Sequence, residues 1–551
     1  MKKDIFYPLI LCLVLIIFFG LNYYSFGSFL YDCGREFLVP DIMNNGFIPI
    51  KDIFVSYFPL SYQFNALLFK IFGSNFDTLR VAGILFSLIC VCFIYFSSRF
   101  FVDEKKSFMT SLIISFVSMF NISHIFNWVA GYSYAFIYAA SILFVSIYFA
   151  LYYLKKDKFL YPAFLTLGVC FALKLEFLPV VIPYFLLFYL KKTPYKKIIV
   201  SFLLFLLPLS LSFLFLKFSI NDFISYLIFM KDFISAPLLK TYSQNVFHNS
   251  NFGDYFSGIY LSSYKFFLWL FVFFLVLYKA SKNRKQTSFF VLSFILGLIF
   301  LITGIIIKPF YPIEFFGFLS FSSMIILFLS IRRKDYIFAF LCLIQIFLSL
   351  RFYFGYSSGY SAYLLPSGLF VNILFFIKSE YKVFSKILIS FLIVFSISNV
   401  CYFTISNAVN KNISLKTERG TINVKTVQEK EMIQNIISFM DKIPENKEVL
   451  ILPEGTMFNY ISKKPTAMKY YQLIPNHIEA FGENNIVEDL RKNPPEYIIF
   501  NNTTYYIYGK TVICDSFAEK ICDFTYKNYD YITTFNNKDF IMNVYRLKKS
   551  F

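Results

Sequence analysis

Apolar runs of about 17 to 25 residues, each long enough to cross a hydrocarbon core as a helix, follow one another as far as about residue 405. They predict spans near 5–25, 79–101, 107–122, 132–154, 159–174, 176–190, 198–219, 263–279, 287–307, 313–331, 336–350, 361–377 and 384–405, about thirteen in all. The segments between them alternate in character. One set is short and basic: Lys105-Lys106, Lys155-Lys156, Lys191-Lys192 with Lys196-Lys197, Lys282 with Arg284-Lys285, Arg332-Arg333-Lys334, and Lys378 with Lys382. The other set is more aromatic and acidic: residues 26–78 and 220–262, the turns near 123–131, 174–176, 308–314 and 351–360, and the tail after 405. Basic loops stay in the cytoplasm, so an odd number of spans puts the N-terminus inside and about 145 C-terminal residues outside.

Beyond residue 405 the pattern shortens and charges return. Helical spacing covers about Val427 to Met440, while "VLILP" (449–453), "EYIIF" (496–500) and "FIMNVYRL" (540–547) read as strands. Pro494-Pro495 and "FGENN" (481–485) mark loops. The expected organisation is a polytopic α-helical membrane domain over 1–405 and a small soluble α/β domain, exterior or periplasmic, over 406–551. No internal repeat of the kind found in inverted-repeat transporters is visible.

Composition agrees with the pattern. Of 551 residues, 58% are hydrophobic and only 15% charged, with a mean hydropathy of +0.61, which excludes an ordinary water-soluble globule. The net charge of +19 does not indicate nucleic acid, because the Lys and Arg residues fall in the loops that the positive-inside bias favours. The first run follows Lys2 and Lys3 but has no small-residue cleavage site and is too long for a signal-peptide core, so a retained first helix is expected. The nine cysteines show no metal-ligand spacing; a divalent metal is left open. Cys514 and Cys522, the two in the tail, have the option of a disulfide in an oxidising exterior.

The first outer loop, about 50 residues between two spans, is too long for a connector. Phe37, Leu38, Ile42 and Met43 recur at helical spacing against Asp32, Arg35, Glu36 and Asp41, and Tyr62, Ala66, Leu67 and Phe69 recur around Gln63, Asn65 and Lys70. Two helices lying along the membrane surface are predicted, separated by Gly46 and Pro49.

This loop carries a resemblance. The acid at the end of the first helix in "YDCGRE" (31–36), the Gly46, Pro49 and Asp52 turn, and the aromatic-Pro-Leu run ending in "LLFKIFG" (67–73) resemble the first outer loop of polyprenyl-phosphate-sugar-dependent glycosyltransferases of the GT-C fold. More narrowly they resemble the family of protein O-mannosyltransferases and lipid A aminoarabinose transferases. "FNWVAGYSYA" (126–135), "ALKLEFLP" (172–179) and "LPEG" (452–455) extend it along the chain. Many members have Asp-Glu where this chain has Asp32-Cys33, and a basic residue before Pro-Pro where it has Tyr57-Phe58-Pro59. The resemblance implies a transmembrane bundle with an exterior domain, a lipid bilayer environment, a polyprenyl-phosphate sugar donor and an acceptor that is an envelope glycolipid, a glycan or a protein.

That chemistry needs a carboxylate to take the acceptor proton and cations to hold the departing phosphate. Asp32 is the expected base, with Arg35 and Glu36 supporting or orienting it, since i and i+3 positions share a helix face. Lys174 and Glu176 fall about 24 Å along a helix starting near Lys158, close to the outer face. Lys174 is the first choice for phosphate, followed by Arg351 and Lys308, all three also placed where a lysine or arginine snorkels. Tyr57, Asn127, Tyr132, Tyr134 and Glu176 are candidates for the donor or acceptor pocket, the tyrosines equally suited to an interfacial belt. His124 reads as an interfacial hydrogen-bonded histidine and Glu454 as a turn or capping acid. The rivals to a glycosyltransferase are a lipid-linked-oligosaccharide polymerase or ligase, with its arginines in later loops, and a lipid-linked-sugar flippase, with ionisable groups at mid-membrane.

Overall fold

The computed structural model describes residues 2–27, 33–55, 57–120, 126–247, 268, 270–277, 291–292, 295–296, 299, 302, 316–350, 360–378, 382–466, 469–537 and 540–549. Asp32, His124, Lys308 and Arg351 lie outside the described residues, as does much of the predicted spans 263–279 and 287–307. The remaining predicted spans all carry helix. α1 covers Lys2–Leu21, α2 Cys33–Asn44, α3 Leu60–Phe72, α4 Phe76–Ser98, α5 Glu104–Ser118, α6 Tyr134–Lys156, α7 Leu160–Leu173, α8 Val181–Leu190 and α9 Tyr195–Phe215. Helices Ile220–Ser235, Pro237–Phe247, Phe316–Arg332, Tyr336–Leu348, Ser361–Lys378 and Lys382–Asn410 follow. Among the described residues, five helices are long and apolar enough to cross a membrane, and shorter apolar helices accompany them. The protein is a multi-pass membrane protein. Leu13, Leu203, Phe215 and Phe328 are more than half exposed, which suits side chains that face lipid.

The bundle packs around α6, whose buried face runs from Tyr134 to Leu154. Small and polar residues let the helices approach closely, as expected where lipid supplies no hydrophobic drive for association. A Cβ on Gly168 would lie 2.2 Å from the Phe205 carbonyl oxygen, so α7 and α9 meet nearly backbone to backbone. Ser146 on α6 bonds Tyr184 on α8 at 2.7 Å. The predicted spans 159–174 and 176–190 are both short helices. α7 stops at Leu173 because Lys174 is extended, and a 3-10 turn, Leu175–Val180, leads into α8.

The tail contains the three predicted strands and a fourth, Tyr529–Asn536, that the sequence reading did not foresee. A helix spans Val427–Asp441, and strands β3 (Val449–Leu452), β4 (Tyr497–Asn501), β5 (Tyr529–Asn536) and β6 (Ile541–Leu547) form a sheet in the order β3-β4-β6-β5. β3 and β4 are parallel and the other pairs antiparallel. A separate hairpin, β1 (Ile413–Thr417) and β2 (Gly420–Val424), was not legible in the apolar pattern. Cys514 and Cys522 form a disulfide, with their Cα atoms 5.7 Å apart.

Strand alternation explains how the tail sits. Val449 and Ile451 of β3 and Ile499 of β4 join the same apolar cluster as the membrane helices. Leu450, Leu452, Ile498 and Phe500 point to a second cluster, mostly of tail residues but joined by Phe54 and Phe233. One face of the sheet therefore shares a core with the bundle.

The hairpin adds polar fastening. Arg419 bonds both carboxylate oxygens of Asp41 on α2, at 2.8 and 3.3 Å, and donates to the Ser74 carbonyl at 2.9 Å. Arg80, buried on α4, donates to the Thr421 carbonyl at 2.6 Å. These bonds are charge-assisted and shielded from water, conditions that make them strong.

The two helices expected in the first outer loop are α2 and α3, and docking of the tail covers the first of them. α2 is buried along most of its length, Arg35 and Glu36 included, because the short tail helix Thr456–Ile461 covers it. Gly34 permits this: a Cβ there would lie 2.4 Å from the Met457 backbone nitrogen and 2.5 Å from Thr456 Oγ1. Gly34→Ala should therefore destabilise the docked tail by about 1–3 kcal/mol. Limited proteolysis of the purified chain checks this, with cleavage between the hairpin and the C-terminus expected to accelerate; an unchanged pattern would show that the contact is dispensable.

Candidate functional site

The chain that leaves α1 is fixed by the last long helix and the residue that follows it. Asn22, past the end of α1, donates to Thr404 at 3.1 Å and accepts from Asn407 at 2.9 Å. Lys411 donates to the carbonyls of Ser25, at 2.8 Å, and Gly27. Burial holds the Lys411 ammonium down at about 8, the cost of a charge placed where its main partners are carbonyl dipoles. The last long helix thus anchors the chain that leads into Asp32 and α2.

On α2, Glu36 is fully buried. Its Oε1 accepts a short hydrogen bond from the Tyr57 hydroxyl and a longer one, 3.4 Å, from Tyr62. Its Oε2 accepts from the Tyr134 backbone N–H at 3.1 Å, at the start of α6. Burial pushes the carboxyl up, opposed by Arg35, Tyr57, the Tyr134 amide and Lys174. A carboxylate kept at such a cost is a functional-site signature.

Arg35 lies beside it, Nε 3.6 Å from Glu36 Oε1. The guanidinium sits over the rings of Tyr132 at 4.9 Å and Tyr57 at 5.4 Å. Its Nε and Nη2 are buried without a hydrogen-bond acceptor among the described residues. Lys174, at the mouth of α7, reaches the same Tyr57 ring at 4.2 Å and Phe136 at 4.8 Å, and stands 4.0 Å from Glu176. Tyr57 stacks on Tyr62 at 5.1 Å and so links both cations to the acid.

The structure thus brings together Arg35, Glu36, Tyr57, Tyr132, Lys174 and Glu176 from four separate segments. Asn127 shapes the neighbouring turn: its Oδ1 accepts from the Val129 and Ala130 amides at 2.8 and 2.7 Å. Gly83 on α4 lies against that turn, where a Cβ would meet the Val129 carbonyl oxygen at 2.2 Å. Tyr134 departs from expectation. Its hydroxyl donates to the Val129 carbonyl at 3.1 Å, and only its backbone N–H faces the acid, so its side chain supports the fold. Glu454 sits in the bend after β3, as a turn acid would, and is buried there, accepting from the Tyr505 hydroxyl at 2.7 Å.

Sequence reasoning missed the contribution of the tail. Tyr471 couples electrostatically to both Arg35 and Tyr62. His477, buried among Phe54, Phe233 and Phe481, bonds the Gln472 carbonyl at 3.0 Å. Burial is the main force holding its imidazole down at about 4, with Arg35 adding to it. In the unfolded chain the same group titrates near 6.5. The unfolded state therefore binds more protons between those values, so stability is full above pH ~6.5 and falls toward pH 4, by at most about 3 kcal/mol. Thermal unfolding across that range should show the loss, and His477→Phe should flatten it; an equal slope in the variant would assign the loss to other groups. Among the described residues, no three His, Cys, Asp or Glu side chains gather as a metal site.

With this geometry in view, the relatives can be compared. Residues 58–219 match the family described as dolichyl-phosphate-mannose-protein mannosyltransferase. No curated protein matches the chain in sequence. ArnT from Cupriavidus metallidurans, solved with undecaprenyl phosphate, is similar in structure at TM-score 0.51 and 9% identity, covering 98% of each chain. The oligosaccharyltransferase AglB from Archaeoglobus fulgidus, solved with an inhibitory peptide and a dolichol-phosphate, gives TM-score 0.53 and 10% identity over 100% of this chain and 74% of that one. The zinc and sulfate complex of the A. fulgidus enzyme gives 0.51 and 12%, over 96% and 72%. The fold is the GT-C fold of membrane glycosyltransferases. Within it, the chain resembles the protein O-mannosyltransferases and the aminoarabinose transferases.

Proposed function

We propose that the protein is an inverting glycosyltransferase that takes a sugar from polyprenyl (undecaprenyl) phosphate and passes it to a cell-envelope acceptor. That acceptor is a lipopolysaccharide or lipid A, a glycan or a protein, met on the outer face of a bacterial cytoplasmic membrane. The N-terminus is then cytoplasmic and the sheet-bearing tail periplasmic. The observation that carries the reading is Arg35: a buried guanidinium with two nitrogens that find no acceptor among the described residues, next to Lys174 across one tyrosine ring. Such a pair, at the outer ends of membrane helices, suits a phosphate held at a lipid surface. This gives Arg35 a more direct part than orienting Asp32.

The proposed step is a single displacement. An acceptor hydroxyl attacks C1 of the sugar, its proton passes to the carboxylate of Asp32, and the bond from C1 to the phosphate oxygen breaks. The polyprenyl phosphate leaves as an anion, its added charge held by Arg35 and Lys174. A phosphate is a good leaving group, so no strong general acid is needed. Asp32 directly precedes Cys33, which is buried against Ala130 in the turn that Asn127 shapes. Glu36, spent on Tyr57 and the Tyr134 amide, positions the cations.

Purified protein incubated with a panel of radiolabelled polyprenyl-phosphate sugars and envelope extract tests the reading. Transfer of label to an extract component with release of polyprenyl phosphate is expected. Movement of intact lipid-linked sugar across vesicles, with no transfer, would establish the flippase instead.

A further inference from the structure

A cavity of about 240 Å³ lies beside the charged cluster, between the first outer loop, helix Ile220–Ser235 and the tail. It exists because the tail docks: the Phe54 N–H donates to the Lys469 carbonyl at 2.9 Å, joining two of its walls. Aromatic rings dominate one side. Phe229 and Phe481 are stacked at 5.4 Å and 10°, and Tyr470 stands 4.2 Å from Phe481.

Two lysines and one acid line the same space. Lys51 pairs with Asp222 at 3.0 Å. Asp222 also accepts from the Ser219 N–H and hydroxyl, each at 2.8 Å, as part of a helix cap. Lys469 is exposed and makes no ion pair among the described residues, so the cavity keeps a surplus positive charge. Ile50, on its rim, holds φ at +78°, a conformation that is an outlier for a β-branched residue and typical of functional loops.

The cavity and the cluster draw on neighbouring residues of the first outer loop. Val55 lines the cavity and Tyr57 carries the two cations. Tyr226, on the cavity wall, packs against Phe58 at 6.2 Å.

We propose that this cavity is the acceptor subsite and holds a single sugar unit carrying a negative charge, phosphate or carboxylate. The aromatic wall offers apolar surface to the C–H side of a sugar, the volume suits one ring, and Lys469 supplies the charge-assisted bond. The inference rests on the glycosyltransferase reading and names the acceptor class for it. The unit in the cavity presents its hydroxyl toward the Tyr57 side.

Full-length protein in detergent is titrated with glucose, glucose 6-phosphate and glucuronate, followed by saturation-transfer NMR, and separately with undecaprenyl phosphate. At least one charged sugar should bind tenfold or more tighter than glucose, and which one does identifies the charged group. Lys469→Ala should remove that difference and Lys469→Arg restore it, while Phe229→Ala weakens the charged sugar's binding by tenfold. Lys469→Ala should leave undecaprenyl phosphate binding as in the wild type. Equal binding of all three sugars, no binding, or binding that survives both Lys469→Ala and Phe229→Ala would overturn the proposal. Undecaprenyl phosphate that fails to bind the wild type, with the charged sugar still bound at Lys469, would sink the donor assignment alone.

Discussion

Asp32→Asn is expected to lower the turnover of sugar transfer by at least ~100-fold, the usual cost of losing a positioned general base. The amide is nearly isosteric, so folding and lipid binding should persist while proton acceptance is lost. The measurement is the initial rate with radiolabelled polyprenyl-phosphate sugar at saturating acceptor, wild type against variant. Near-normal turnover would place the base elsewhere. If Arg351→Ala then abolished activity, the polymerase or ligase reading would replace the present one.

The second large effect is expected at Glu36. Glu36→Ala removes the counter-charge of a buried arginine and the acceptor for both the Tyr57 hydroxyl and the Tyr134 amide. Breaking such a buried pair from one side costs about 3–5 kcal/mol. Thermal unfolding in detergent should therefore fall sharply, and transfer with it, because Arg35 and Tyr57 lose their fixed positions. Glu36→Gln keeps an acceptor and loses only the charge, so a smaller drop is expected. Equal drops in the two variants would mean that the charge, and not the hydrogen bonds, holds the cluster.

Much of the fold was legible because membrane helices announce themselves by length and apolarity. α4 and α6 match the predicted spans to within a few residues, since nothing but an internally bonded helix satisfies their backbone in lipid. The strands of the tail were legible where both faces are buried, as in Val449–Leu452. They were missed in the hairpin Ile413–Val424, where buried Leu415, Ile422 and Val424 are interspersed with polar residues and Arg80 and Arg419 add polar fastening, and in β5, whose side chains are mostly exposed or half-buried.

The site was legible only in part, for a related reason. Arg35, Glu36 and Lys174 stood out as ionisable groups in the wrong solvent, and the fold brings them around Tyr57. Their burial was not foreseeable, because α2 alone has the composition of a surface helix. What buries it is Thr456–Ile461, more than four hundred residues further along, through the gap that Gly34 leaves. Tyr471 and His477 were invisible for the same reason: nothing local in "YYQLIPNH" (470–477) marks a segment that folds back over an arginine on α2.

The central claim is that Arg35 and Lys174 jointly hold the phosphate of a polyprenyl carrier. An experimental structure of the full chain with undecaprenyl phosphate tests it most directly. Phosphate oxygens are expected within hydrogen-bond distance of Arg35 Nη2 and Lys174 Nζ, with the lipid chain leaving along the membrane helices. A phosphate seated instead at Lys51 and Lys469, with Arg35 still lacking an acceptor, would contradict it.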